Sequence, residues 1–263
     1  MKNYRITVNG TSYDVSVEEL SGGAAPVAAP VAAAPVAAPA AAPIMDVQTV
    51  AAATTTTKTL KNAWSKNHKY YYDKNGKKVT GVKKIGKYTY VFAKNGKLVT
   101  NKKYYKYNAK TYYKIAKNGR AKKLSAVETL AAIRLKKCGG NLKKAFNWSS
   151  SVRYAGNYKV AKKNVANYAK YGFQTGRGDC YVQAATFYQM AKVAGYDAKY
   201  VKGSVNKGKG LAPHAWVEIK SNGKTYVYDP NFQSEFGKKG YTGYKITYGQ
   251  KGTLQYVKTS KGR

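Results

Sequence analysis

Three Asn-Gly pairs, at 75–76, 95–96 and 118–119, each follow closely on aromatic residues: Tyr70-Tyr71-Tyr72, then Tyr88 and Tyr90, then Tyr112-Tyr113. Asn-Gly supplies the positive φ angles of a tight hairpin turn, and the aromatic runs suit a pleated strand. The turns recur at 20 and 23 residues (75 to 95, 95 to 118). A unit of that length is one hairpin, too small to bury an apolar face alone. The pattern therefore predicts a β-hairpin repeat solenoid over 58–123. The tyrosines either pack between hairpins or meet a ligand, and the sequence leaves both readings open.

Charge narrows the partners. The chain has 48 Lys+Arg against 11 Asp+Glu, a formal net charge of +37. It is unevenly spread: 1–57 holds 2 basic and 4 acidic residues, 58–123 holds 21 and 1, and 124–263 holds 25 and 6. From Lys74 to Gly178 the only acid is Glu128. Such a field attracts polyanions through counterion release. With 42 Lys and 6 Arg, base readout by Arg forks is disfavoured and no specific nucleic acid is expected. Two cysteines, Cys138 and Cys180, and two histidines, His68 and His214, exclude a disulfide scaffold and predict neither a metal site nor a cofactor.

The first 57 residues differ from the rest. Alternation through Tyr4, Ile6 and Val8, then Tyr13, Val15 and Val17, around Asn9-Gly10 predicts a β-hairpin over 1–20. Five of the seven prolines lie between Ser21 and Pro43, so 21–57 reads as a semi-rigid Ala/Pro linker. This pair of features resembles the start of the biotin-carrier subunits of sodium-pumping decarboxylases. The Met-Lys-Met turn that carries biotin in that family is absent, and no biotin site is carried over. No secretory signal peptide and no transmembrane segment are expected, because the N-terminus alternates and prolines interrupt the apolar stretch.

After Lys123 the period becomes helical. Ser125 and Glu128 form a capping box ahead of Val127, Leu130, Ala131, Ile133 and Leu135, and a second helix is expected from Asn141 to Trp148. Gly176-Arg177-Gly178-Asp179-Cys180 then opens an apolar helical run ending at Gly195, placing Cys180 at a helix N-terminus, where the dipole favours a thiolate over a thiol. Strands follow over Lys199–Val205, His214–Ile219 and Tyr226–Pro230, the last two joined by Ser221-Asn222-Gly223. The hairpin puts His214 and Asp229 at one end of the sheet. A thiolate, an imidazole to move its proton and a carboxylate to fix the tautomer are what nucleophilic catalysis requires. Cys138 reads as structural, His68 as a solvated residue, Trp216 as packing and Glu218 as an exposed strand residue.

Two resemblances sharpen this reading. AWSKNHKYYYDKNGKKVTGVKKIGKYTYVFAKNGKLVT resembles the cell-wall-binding (choline-binding-like) repeats of Gram-positive surface proteins, with one Trp, Trp64, where choline cages use several. GDCYVQAATFYQMAKVAGYDAKYV, HAWVEI and YVYDPNF resemble the transglutaminase-like superfamily of papain-like cysteine enzymes. That resemblance spans about Leu124 to Phe236. It implies an α+β fold with helices packed on an antiparallel sheet, Cys180 as nucleophile, His214 as general base and acid, and Asp229 as orienter. It also implies an oxyanion hole built on the Cys180 N–H and an upstream donor, for which Gln174 and Tyr154 are the residues considered.

Together these predict a domain order of hairpin, linker, repeats and, over 124–263, a catalytic domain. The expected function is a cysteine peptidase or amidase working through a thioester on a peptide or protein substrate, anchored to an anionic cell-wall polymer by the Tyr-rich repeats. A protein-crosslinking transglutaminase and a non-catalytic wall-binding protein are the alternatives. The repeats imply an extracellular or wall-associated protein.

Overall fold

A computed structural model describes residues 59–206, 208 and 210–259, together with the strands 2–8 and 11–17. The linker expected over 21–57 lies outside the described residues. The chain divides into two compact units, 1–56 and 57–263. In the first, β1 (Lys2–Val8) pairs antiparallel with β2 (Thr11–Val17), Val8 opposite Thr11.

The second unit opens with short hairpins. β3 (Ala63–Trp64) pairs with β4 (Tyr71–Tyr72), β5 (Gly81–Ile85) with β6 (Tyr88–Phe92), and β7 (Lys102–Lys106), β8 (Tyr112–Ile115) and β9 (Ala121–Lys123) form a three-stranded sheet. All three Asn-Gly turns close with the same pair of backbone hydrogen bonds: Asp73 with Lys77 and Gly76, Ala93 with Lys97 and Gly96, Ala116 with Arg120 and Gly119. Gly76, Gly96 and Gly119 hold φ of 77°, 78° and 80°, as the turn requires. Gly96 packs on Lys78, one hairpin back, and Gly119 on Leu98 in the same way. Trp64 sits among the rings of His68, Tyr71, Tyr90 and Phe92, at centroid distances of 5.1–5.8 Å. The half-buried indole thus packs within its own hairpin, against His68 and Tyr71, and against the next one through Tyr90 and Phe92.

The remainder is α+β. α1 (Ala126–Lys137) starts at the Ser125–Glu128 capping box, and α2 (Leu142–Ser150) is capped by Asn141. β10 (Arg153–Tyr154), α3 (Val165–Thr175) and β11 (Arg177–Gly178) lead into α4 (Cys180–Val193). β12 (Ala198–Asn206), β13 (Leu211–Ser221), β14 (Lys224–Tyr228), α5 (Pro230–Phe236) and β15 (Gln255–Lys258) complete it. The four-stranded sheet runs β14-β13-β12-β15, all antiparallel. α4 is the central helix, with ten buried residues. Ala184, Phe187 and Ala191 pack against Ala215, Val217 and Ile219 of β13.

The opposite face of β13 is covered too. Trp216, fully buried, packs with Val227, Ile246, Tyr248 and Tyr256. This corrects the expectation for Glu218, which is 7% exposed. Its carboxylate accepts a short hydrogen bond from Tyr248 and pairs with Lys258 Nζ at 2.6 Å. Strand alternation predicts solvent on that face only when nothing folds over it, and here residues 246–258 do. Cys138 is buried at the C-terminal cap of α1, within the core shared by α1 and α4, and His68 is exposed.

Candidate active site

Each of the three residues owes its place to a local signal. Gly178 holds φ of 150°, and a Cβ there would run into the Val182 side chain, so only glycine lets the loop turn this tightly onto α4. Asp179 then caps the helix: its Oδ1 accepts from the Tyr181 N–H at 3.0 Å, the Val182 N–H at 3.2 Å and the Tyr158 hydroxyl at 2.8 Å. Cys180 follows as the first helical residue, 8% exposed. Among the described residues its N–H has no hydrogen-bond partner, because the cap serves the next two.

His214 lies in β13 opposite Gly203 of β12. Asp229 leaves β14 and caps α5, accepting the Phe232 N–H at 3.0 Å on Oδ1. Val217 faces Tyr228, so the two strands bring His214 and Asp229 to the same end of the sheet. Their contact is 2.7 Å, Nε2 to Oδ2, with both side chains almost wholly buried. A carboxylate only accepts, so Nε2 carries the hydrogen and the tautomer is set. Cys180, at the head of α4, is among the groups that raise the His214 pKa. The structure thus joins His214 and Asp229 directly, with Cys180 at the start of the central helix.

Burial alone would lower the His214 pKa, but the Asp229 charge and hydrogen bond outweigh it and the thiol adds to them, leaving it pushed up to about 10. A folded pKa above the unfolded value of about 6.5 contributes stability that is fully present below pH 6.5 and lost as pH rises through about 10. The thermal midpoint is expected to fall between pH 7 and 10 by several degrees, at about 2–4 °C per kcal/mol for a chain of this size. The fall should be smaller in Asp229→Asn. An equal fall in both proteins would show that other groups carry it.

Tyr256, on β15, is the site residue that sequence reading missed. Its hydroxyl donates to Asp229 Oδ2 at 2.9 Å, and its ring lies 5.0 Å from Trp216 and 6.5 Å from His214. Burial, then the Asp229 charge and hydrogen bond, hold this phenol protonated well above its ordinary range. Asp229 is completely buried, and His214, Phe232 and Tyr256 satisfy its carboxylate. Trp216 stacks on His214 at 6.3 Å and donates its indole N–H to Tyr248 at 2.8 Å. Of the two residues considered as upstream oxyanion donors, Tyr154 pairs with Gly178 in the β10–β11 ladder, close to the nucleophile loop. Gln174 lines a separate cavity with Lys123, Ala126 and Ile133.

No group of His, Cys, Asp and Glu able to hold a metal exists among the described residues, and none of their helices is long and apolar enough to cross a membrane. No curated protein matches the chain. Among solved structures it is similar to a candidate cysteine protease from Cytophaga hutchinsonii, at 16% identity and a TM-score of 0.34, covering 40% of this chain and 37% of that one. It is also similar to the periplasmic domain of TgpA from Pseudomonas aeruginosa bound to ethylmercury, at 17% identity and a TM-score of 0.31, covering 43% and 46%. The chain therefore spans less than half the length of either structure. Residues 129–230 match the model of the Transglutaminase-like superfamily, and the chain carries a transglutaminase-like domain there.

Proposed function

We propose that the chain is a thiol-dependent acyl-transfer enzyme, a cysteine peptidase or amidase, held on an anionic bacterial wall by its hairpins. The observation that supports the catalytic half is the buried His214–Asp229 hydrogen bond, with Cys180 as the first residue of α4. With Nε2 committed to Asp229, Nδ1 is the nitrogen that exchanges a proton with the thiol. The Cys180 sulfur attacks a carbonyl, and the free Cys180 N–H meets the oxyanion. His214 gives its proton to the departing amine, leaving a thioester. Water, deprotonated by His214, then releases the acid and restores the thiol. The 42 lysines favour water as acceptor, since an enzyme accepting amines freely would cross-link itself.

Mass spectrometry on a peptide library tests this. An acyl adduct on Cys180, absent from Cys180→Ala, is the expected result, and incorporation of an added amine would mark cross-linking instead. No adduct with any acyl donor would remove the enzymatic reading.

Supporting the wall half are the recurring turns and 21 basic residues against 1 acidic over 58–123. Because Trp64, the one Trp of the hairpins, is half-buried among neighbouring rings, attraction should be mainly electrostatic. The 263-residue chain is expected to sediment with purified Gram-positive walls and to lose most of that binding at 1 M salt, where the Debye length is about 3 Å. Binding unchanged at 1 M would assign it to aromatic pockets. No binding at low salt would remove the tether.

A further inference from the structure

A cavity of about 530 Å³ opens at the head of α4, lined by Asp179 and Tyr181, the chain neighbours of Cys180, though not by Cys180 itself. Its other walls include Tyr158, Tyr168, Lys159, Lys163 and Lys202. The aromatic part is pre-formed. Tyr168 stacks on Tyr181 at 5.7 Å, and Tyr158 meets Tyr168 edge-on at 6.4 Å. Burial holds all three hydroxyls protonated above their ordinary range, and the Asp179 charge adds to it.

The charged part is unbalanced. Lys202 lies on β12 one residue before Gly203, the partner of His214. Its ammonium sits 5.7 Å from the ring centroids of both Tyr168 and Tyr181. Among the described residues, none of Lys159, Lys163 and Lys202 is paired with a carboxylate. Asp179, the one acid lining the cavity, already serves Tyr158 and two backbone N–H groups. Three ammonium groups with no carboxylate partner among the described residues, around an aromatic floor, suit a ligand with an apolar stem and a carboxylate head.

We propose that this cavity is a substrate subsite for acidic peptides, in which the tyrosines take the stem of a glutamate-like side chain and the three lysines take its carboxylate. The inference rests on Cys180 being the nucleophile. The charge preference then belongs to the pocket and adds to whatever the chain's overall +37 contributes at long range.

Two affinity labels test it, bromoacetyl-glutamate amide and bromoacetyl-glutamine amide, which differ only in the side-chain charge. In each the Cys180 sulfur forms the bond to carbon and bromide leaves. Labelling of Cys180 and Cys138 is followed by peptide mass spectrometry at 0.5 M salt, where long-range steering is screened. The glutamate reagent is expected to label Cys180 on the order of tenfold faster. Lys202→Arg should keep that ratio, and the Lys159→Gln, Lys163→Gln, Lys202→Gln triple variant should bring it close to one. Equal rates in the unaltered protein, with Cys180 still ahead of Cys138, would overturn the subsite and leave the nucleophile standing. A ratio undiminished in the triple variant would overturn it as well, by assigning the preference to the overall field. Cys180 lagging Cys138 with both reagents would overturn the nucleophile reading and the inference with it. If the triple variant fails to fold, Lys159→Gln and Lys163→Gln taken singly replace it: each should lower the ratio, and a ratio unchanged in both would overturn the subsite.

Discussion

Cys180→Ala is expected to reduce turnover to background, His214→Ala to come close to it, and Asp229→Asn to cost about 10 to 10³. The first removes the atom that forms the thioester; the second removes the group that carries the proton away and returns it. Asp229→Asn keeps the shape but loses the charge that raises the His214 pKa. In a serine protease the corresponding change costs about 10⁴, because the hydroxyl is deprotonated only during attack. A thiol is more readily ionised, so less depends on the carboxylate. The alkaline limb of the pH–rate profile should also move to lower pH in Asp229→Asn, since the imidazolium gives up its proton sooner. Tyr256→Phe removes one hydrogen bond and no charge, and should shift that limb less. Full activity in His214→Ala would show that the convergence of these side chains is structural only.

Gly203→Ala should destabilise the domain by about 2–4 kcal/mol, or about 5–15 °C in thermal midpoint. Gly203 lies in β12 between His214 of β13 and Lys258 of β15. A Cβ there would overlap the Val257 carbonyl oxygen and come within 2.6 Å of Trp216 Cη2. The oxygen belongs to backbone and the indole is fully buried, so neither yields without loss of pairing or packing. The cheapest relaxation moves β15 away, and Tyr256 moves with it. Differential scanning calorimetry gives the midpoint, and the pH–rate profile of the folded variant should resemble that of Tyr256→Phe. An unchanged midpoint would mean that β15 accommodates the methyl group where it lies.

The parts legible in the sequence are those whose signals are local. Ser125 and Glu128 announce α1 because a capping box spans four residues, and Asn141 announces α2 in the same way. Asp179-Cys180 at the head of an apolar run marks the start of α4, and Asn222-Gly223 fixes the β13–β14 hairpin. β15 was not legible. Its four residues, Gln-Tyr-Val-Lys, carry no alternation long enough to read, and its partner β12 lies some fifty residues earlier. Missing that strand hid both the burial of Glu218 and the third partner of Asp229. α3 was missed for a related reason: its apolar residues, among them Tyr168 and Ala169, are interrupted by Asn167, Lys170 and Gly172. Gly172 is there because Val182 and Thr186 of α4 leave no room for a side chain.

The position of β15 also sets an order of events during synthesis. Cys180, His214 and Asp229 are all made before Tyr256, and the strand that carries it can pair only with a β12 already in place. Until it does, the carboxylate lacks one of its donors and the indole lacks its cover. A nascent chain therefore reaches its full complement of contacts around the carboxylate only after Tyr256 has been made, later than the lysine-rich hairpins that precede it in the chain.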